Sequence, residues 1–162
     1  MALIKHAEIA QDPWTDASGL DAIPATGPVI VSLEQWEAQR ETLVGRADPV
    51  GVRLRSDEPP ARIADDLDRL ALVALEFPAF KDGRAYSYAR LLRERHGFRG
   101  ELRAVGDVLC EQLHYMERCG FDAFEIASGN ALDEWRTAST EMGAWYQRTG
   151  DGRKTAIQLR HE

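Results

Sequence analysis

Cysteine is nearly absent from this chain: Cys110 and Cys119 are the only two in 162 residues. Two thiols are too few for an iron–sulfur cluster, which takes about four thiolates. They fall on one expected helix, where nine steps of about 100° put them on opposite faces and more than about 13 Å apart. That is beyond disulfide reach, so they read as separate reduced thiols with packing roles. Long apolar runs are missing too. No stretch of about 18 apolar residues exists, which excludes a membrane-spanning helix. The first residues, Met1 to His6, meet Glu8, Gln11 and Asp12 before any apolar run, unlike a signal peptide. The expectation is a cytoplasmic protein.

Positive charge is in deficit. Lysine and arginine number 20 against 27 aspartates and glutamates, a net charge of -7. That argues against a nucleic-acid backbone or an anionic membrane as partner, since both need a basic face. The arginines at 84, 90, 93, 95, 99 and 103 read as a solvated helix face interleaved with acids. The four histidines, His6, His96, His114 and His161, form no close pair and no metal-binding spacing with cysteine. No glycine-rich dinucleotide fingerprint, no phosphate-binding loop and no G-x-S-x-G elbow occurs. The residues therefore call for no metal and no cofactor.

What is present is an ordinary globular composition, 44% hydrophobic and 29% charged, in a length that suits one domain. Residues 1–27 read as a lead-in, with turn and loop over Asp12 to Gly19. Residues 28–130 read as an α/β core. Short strands are expected at 28–32, 50–54, 72–77, 102–105 and 123–126. They alternate with helical periodicity at 33–43, 63–70, 84–96 and 108–118, and Gly97 is placed to close the third of these helices. Such alternation predicts an open, mostly parallel sheet of about five strands. The 72–77 strand reads as apolar on both sides, as when helices cover both faces of a sheet. Residues 131–162 read as a C-terminal helix and tail of the same domain, with 155–160 a final strand or a loose end.

In open parallel sheets ligands bind beyond the carboxyl ends of the strands. That rim holds the densest polar cluster, Asp82, Gly83, Arg84, Tyr86 and Ser87 at a helix start. A helix N-terminus and an arginine suit a small oxyanion such as sulfate, sulfite or phosphate. Glu76 and Asp107 are the candidate acid and base. The plainer alternative has Asp82 and Asp107 capping helices and Arg84 paired to a nearby acid. In the last helix, Trp135, Met142 and Trp145 either cover the sheet or form a partner or dimer surface.

Two stretches are distinctive. One runs from Asp66-Leu67-Asp68-Arg69-Leu70 through Leu75-Glu76-Phe77-Pro78 to Asp82-Gly83-Arg84-Ala85-Tyr86-Ser87-Tyr88-Ala89-Arg90. The other comprises Gly100-Glu101-Leu102-Arg103-Ala104-Val105-Gly106-Asp107 with Gly120-Phe121-Asp122-Ala123-Phe124. Together they resemble the bacterial domain-of-unknown-function family 934, over roughly residues 28–126. The resemblance implies encoding beside assimilatory sulfite or nitrite reductase and adenylyl-sulfate reductase genes. It implies an accessory role in sulfite reduction, with sulfite reductase or another sulfur-assimilation enzyme as partner. It carries no catalytic residues over. Beside it stand two readings from the residues themselves: a small anion-binding domain or enzyme built on the rim around Arg84, and a non-catalytic regulatory homodimer.

Overall fold

The computed structural model of the chain describes residues 2–127, 129–140 and 145–161. Eight strands form one sheet: β1 (Ala2–Lys5), β2 (Glu8–Ala10), β3 (Thr15–Asp16), β4 (Val29–Ser32), β5 (Val50–Leu54), β6 (Leu72–Phe77), β7 (Glu101–Gly106) and β8 (Ala123–Ile126). Their spatial order is 2-1-8-7-6-5-4-3. All five strands expected from sequence are present, parallel and in chain order. The sheet is nevertheless mixed and wider than expected. The first 16 residues supply three more strands, with β1 antiparallel to both β8 and β2, and β3 parallel to β4.

Four residues join β2 at one edge of this sheet to β3 at the other. Five extended steps reach at most about 18 Å. Seven interstrand gaps in a flat sheet would span about 34 Å. The sheet must therefore curl until its edges approach, and Gln11 to Trp14 form a strap across the opening.

The helices are α1 (Leu33–Ala38), α2 (Arg40–Val44), a 3-10 helix (Pro60–Arg69), α3 (Arg84–Arg90) running into a π-helical turn (Leu91–Arg95), α4 (Cys110–Cys119), α5 (Ala131–Thr140) and α6 (Ala156–Arg160). The last of these corrects the strand or tail expected there: Thr155 caps the segment reciprocally with Gln158, a helix-start arrangement. The α3 unit ends as expected, with Gly97 in the left-handed region at φ 65°. Among the described residues no helix is long and apolar enough to cross a membrane.

Sequential parallel strands joined by right-handed crossovers place every connecting helix on the same face. The packing follows this rule. Val29, Val31, Val52, Leu54, Val73, Leu75, Phe77, Leu102, Ala104 and Phe124 join helix residues such as Trp36, Ala85, Leu92, Leu113 and Met116 in one core. The alternate residues of the strands form a small separate cluster, Ile30, Leu72, Ala74 and Val105, and what packs on it is Trp14 of the strap. Helices thus cover one face of the sheet. The expectation of helices on both faces is corrected, and the N-terminal segment takes the place of the second layer.

Candidate functional site

The concave face is where charge enters the sheet. Side chains alternate along a strand, so Arg53, Glu76, Arg103 and Glu125 point away from the helices. Arg103, at the middle of β7, is 1% exposed. It donates to Glu101 at 2.8 Å, to Glu125 at 3.0 Å and to both carboxylate oxygens of Asp12 in the strap at 2.7 and 3.1 Å. Lys5 adds a bond to Glu101 at 2.7 Å. Burial opposes the charge on Arg103, but these carboxylates outweigh it and hold the guanidinium protonated more firmly than usual. Beside the strap, Arg103, Glu125, Asp12, Trp14 and Ile30 line a cleft of about 460 Å³.

Toward the carboxyl ends of the strands, Arg53 bridges Glu76 at 3.1 Å and Asp16 of β3 at 3.0 Å. Arg55 pairs with the buried Glu58 at 3.0 Å. Arg53, Glu76, Arg55 and Glu58, together with Ser18 and Glu34, surround a second cleft of about 330 Å³. Glu76 therefore lies inside this mouth, held by an arginine.

The cluster at the start of α3 is arranged differently from an open anion site. Arg84 is taken up by Asp82, with Nε–Oδ1 at 3.0 Å and a second bond at 2.6 Å, and by the Ser56 hydroxyl at 2.8 Å. The guanidinium holds the Asp82 carboxyl well below the usual carboxylate range. Gly83 is the residue flanking the helix start, and the Asp82 carboxylate accepts from the Arg84 N–H. Ser87 is exposed. Tyr86 points to the helix side, with its ring 5.1 Å from both Phe77 and Tyr115. Burial pushes its hydroxyl up to about 12. Tyr86 is thus packed beneath the sheet and separated from Arg84. Asp107 sits after Gly106, where φ is 93° and any Cβ would meet the Phe77 carbonyl oxygen at 2.5 Å. Its carboxylate accepts from the Phe80 N–H at 2.9 Å. It ties two rim loops together, while α4 begins three residues later, with Gln112 accepting from the Leu109 N–H just before it.

The aromatic residues of the last segment divide as well. Trp135 is half-buried against the helix-side core. Trp145 stacks on His114, centroids 4.3 Å apart, beneath the Arg118 guanidinium at 4.4 Å. Met142 lies outside the described residues. The side chains left in solvent are others: Tyr146 at 77%, Ile157 at 58% and Leu159 at 49% exposed.

The solvated helix face expected to include Arg103 is corrected, since Arg103 is buried on β7, and neither its cluster of three carboxylates nor the stacking of His114 was foreseen from sequence. A signal existed for the first group: in β5, β6, β7 and β8 a charged residue recurs on one side of the alternation while the other side stays apolar. His114 had no comparable signal, because its stacking partner lies 31 residues away in sequence.

No curated protein matches the chain. A family described as a bacterial protein of unknown function, DUF934, matches residues 51–157. The match starts later than the sequence resemblance suggested and runs on through the C-terminal segment. It covers β5 to β8, the Arg53, Glu76 and Arg103 positions, and α4 with the residues that dock on it. On that extent, the chain belongs to the DUF934 family.

Proposed function

We propose that this protein is an accessory component of assimilatory sulfate and sulfite reduction, acting by binding the reductase machinery. The observation that carries a binding role is the exposure of Tyr146, Ile157 and Leu159 on one short segment. Large apolar side chains left in water within one stretch of 14 residues are where a contact surface is to be sought. The pathway is supported by the gene neighbourhood that the family resemblance implies. The rim around Arg84 supports this reading by its saturation, since an incoming oxyanion would have to displace the Asp82 carboxylate from a two-pronged bond.

Affinity purification of the tagged protein from its native host, grown on sulfate as sole sulfur source, is the test. The expected result is recovery of sulfite reductase or a neighbouring enzyme in stoichiometric amount. Replacing Tyr146, Ile157 and Leu159 by serine should cut that recovery at least about tenfold, since a central contact residue is worth more than about 1.4 kcal/mol. The melting temperature should stay within about 2 °C. Recovery of no such enzyme overturns the reading. A dimer mass by light scattering that reverts to monomer in the serine variant would assign the surface to a second copy instead.

A further inference from the structure

His114 lies on α4 with both ring nitrogens enclosed, and neither has a hydrogen-bond partner among the described residues. A buried imidazole usually satisfies at least one nitrogen, because leaving a polar atom unpaired costs about 1–3 kcal/mol. What covers the ring is Trp145, stacked at an interplanar angle of 15°. Trp145 is also the anchor of the segment that follows. Its carbonyl accepts from the Ala156 N–H, and it bridges to Thr155, which caps α6. One turn further along α4, Arg118 reaches the same segment, donating to Asp151 at 2.8 Å and to the Gln147 carbonyl at 2.9 Å. Residues 145–161 are thus fastened to α4 by two clasps side by side, one ionic and one aromatic.

The two clasps respond differently to protons. A neutral imidazole stacks on the indole without charge. A protonated one places a second N–H and a positive charge in an enclosed position. The charged groups around it are Glu117 and Arg118 on α4, and Asp151 and Arg153 on the docked segment. On the helices packed against α4, Arg90 of α3 is paired to Glu94, and Asp133 and Arg136 of α5 are paired to each other. Glu117 and Asp151 favour a new cation there, whereas enclosure, Arg153 and Arg118 oppose it, and the opposition prevails.

We infer that His114 is a proton-sensitive clasp: the C-terminal segment is docked while the ring is neutral and is released from α4 when the ring is protonated. Burial holds the His114 ring below the usual histidine range, with Arg153 and Arg118 adding to it against the opposite pull of Glu117 and Asp151. The sign follows from linkage. The released state binds the proton more readily, so docking is at full strength above the ordinary histidine value of about 6.5. It weakens as pH falls below that value, until the docked ring itself is protonated. This inference stands independently of which partner the exposed residues meet.

The test is an NMR titration of the full-length protein between pH 8 and pH 5, following the His114 ring protons, the Trp145 indole signal and the amides of residues 145–161. The expected result is a His114 midpoint below about 6.5, with the Trp145 and segment signals moving toward unstructured positions over the same range. The population released should rise by no more than about tenfold per pH unit, the slope of one proton. In His114→Phe, which keeps a stacking ring and removes the titration, those signals should stay fixed. In Trp145→Ala, which removes the cover, the His114 midpoint should return to about 6.5. A midpoint unmoved by Trp145→Ala, or a segment transition that persists in His114→Phe, overturns the proposal.

Discussion

The two faces of the curled sheet solve the same problem with different chemistry. The outer face carries apolar residues and is covered by helices. The inner face carries Arg53, Arg103, Glu76, Glu101 and Glu125 among a few apolar residues, and its cover is a strap with one tryptophan and one aspartate, continued by Asp16 of β3. A helix brings a wide apolar stripe. A four-residue strap cannot, so the inner face is closed largely by ion pairs between strand and strap. The difference teaches that a strand between apolar neighbours can still be half polar when its second face meets a short segment rather than a helix.

The comparison can be broken at three points. Phe77→Ala opens a void on the helix side, where the ring is fully buried against Tyr86 and Phe121. It should cost about 3–5 kcal/mol in urea unfolding. Arg103→Ala attacks the other face and leaves Asp12, Glu101 and Glu125 without their cation. A loss of about 3 kcal/mol is expected, since removing one partner of a buried pair strands the rest. A loss under about 1 kcal/mol would mean that the strap is held by Trp14 alone. Arg53→Ala, at the more open mouth, should cost about 1 kcal/mol, because its pairs with Asp16 and Glu76 are partly solvated. This last effect should fade in acid. Burial pushes the Asp16 carboxyl up, but hydrogen bonds from Ser18 and the Arg53 charge outweigh it and hold the group below its usual range. A depressed carboxylate contributes stability above its unfolded value of about 3.9 and loses it as pH falls through the lower folded value. The Arg53→Ala deficit should therefore be smaller at pH 2.5 than at pH 7.

Much of this architecture was legible in the residues. The strand at 72–77 and its four parallel companions stand where their β-branched and apolar runs place them, and Gly97 ends the α3 unit as its conformational freedom suggests. The N-terminal strands were not legible. Ala2 to Lys5 pairs with Ala123 to Ile126, and no local pattern announces a partner about 120 residues away. The one-sided helix cover was hidden for a related reason. The order of the parallel strands decides it, and order is a property of long-range pairing. At the rim, the residue types at positions 82 to 87 were correctly seen as polar and close in sequence. Helical spacing then divides them: Arg84 meets Asp82 and Ser56, while Tyr86 turns beneath the sheet. Sequence adjacency on a helix is not spatial adjacency at a site.

The pairing of β1 with β8 also sets a timetable. A ribosome delivers residues 2–5 well before residues 123–126, so β1 cannot take its place beside β8 until about 120 further residues have emerged. Until then β1 can pair only with β2, and the edge of the sheet that it covers is open to other chains. The segment that looks like a preface is, in time, the closing step of assembly.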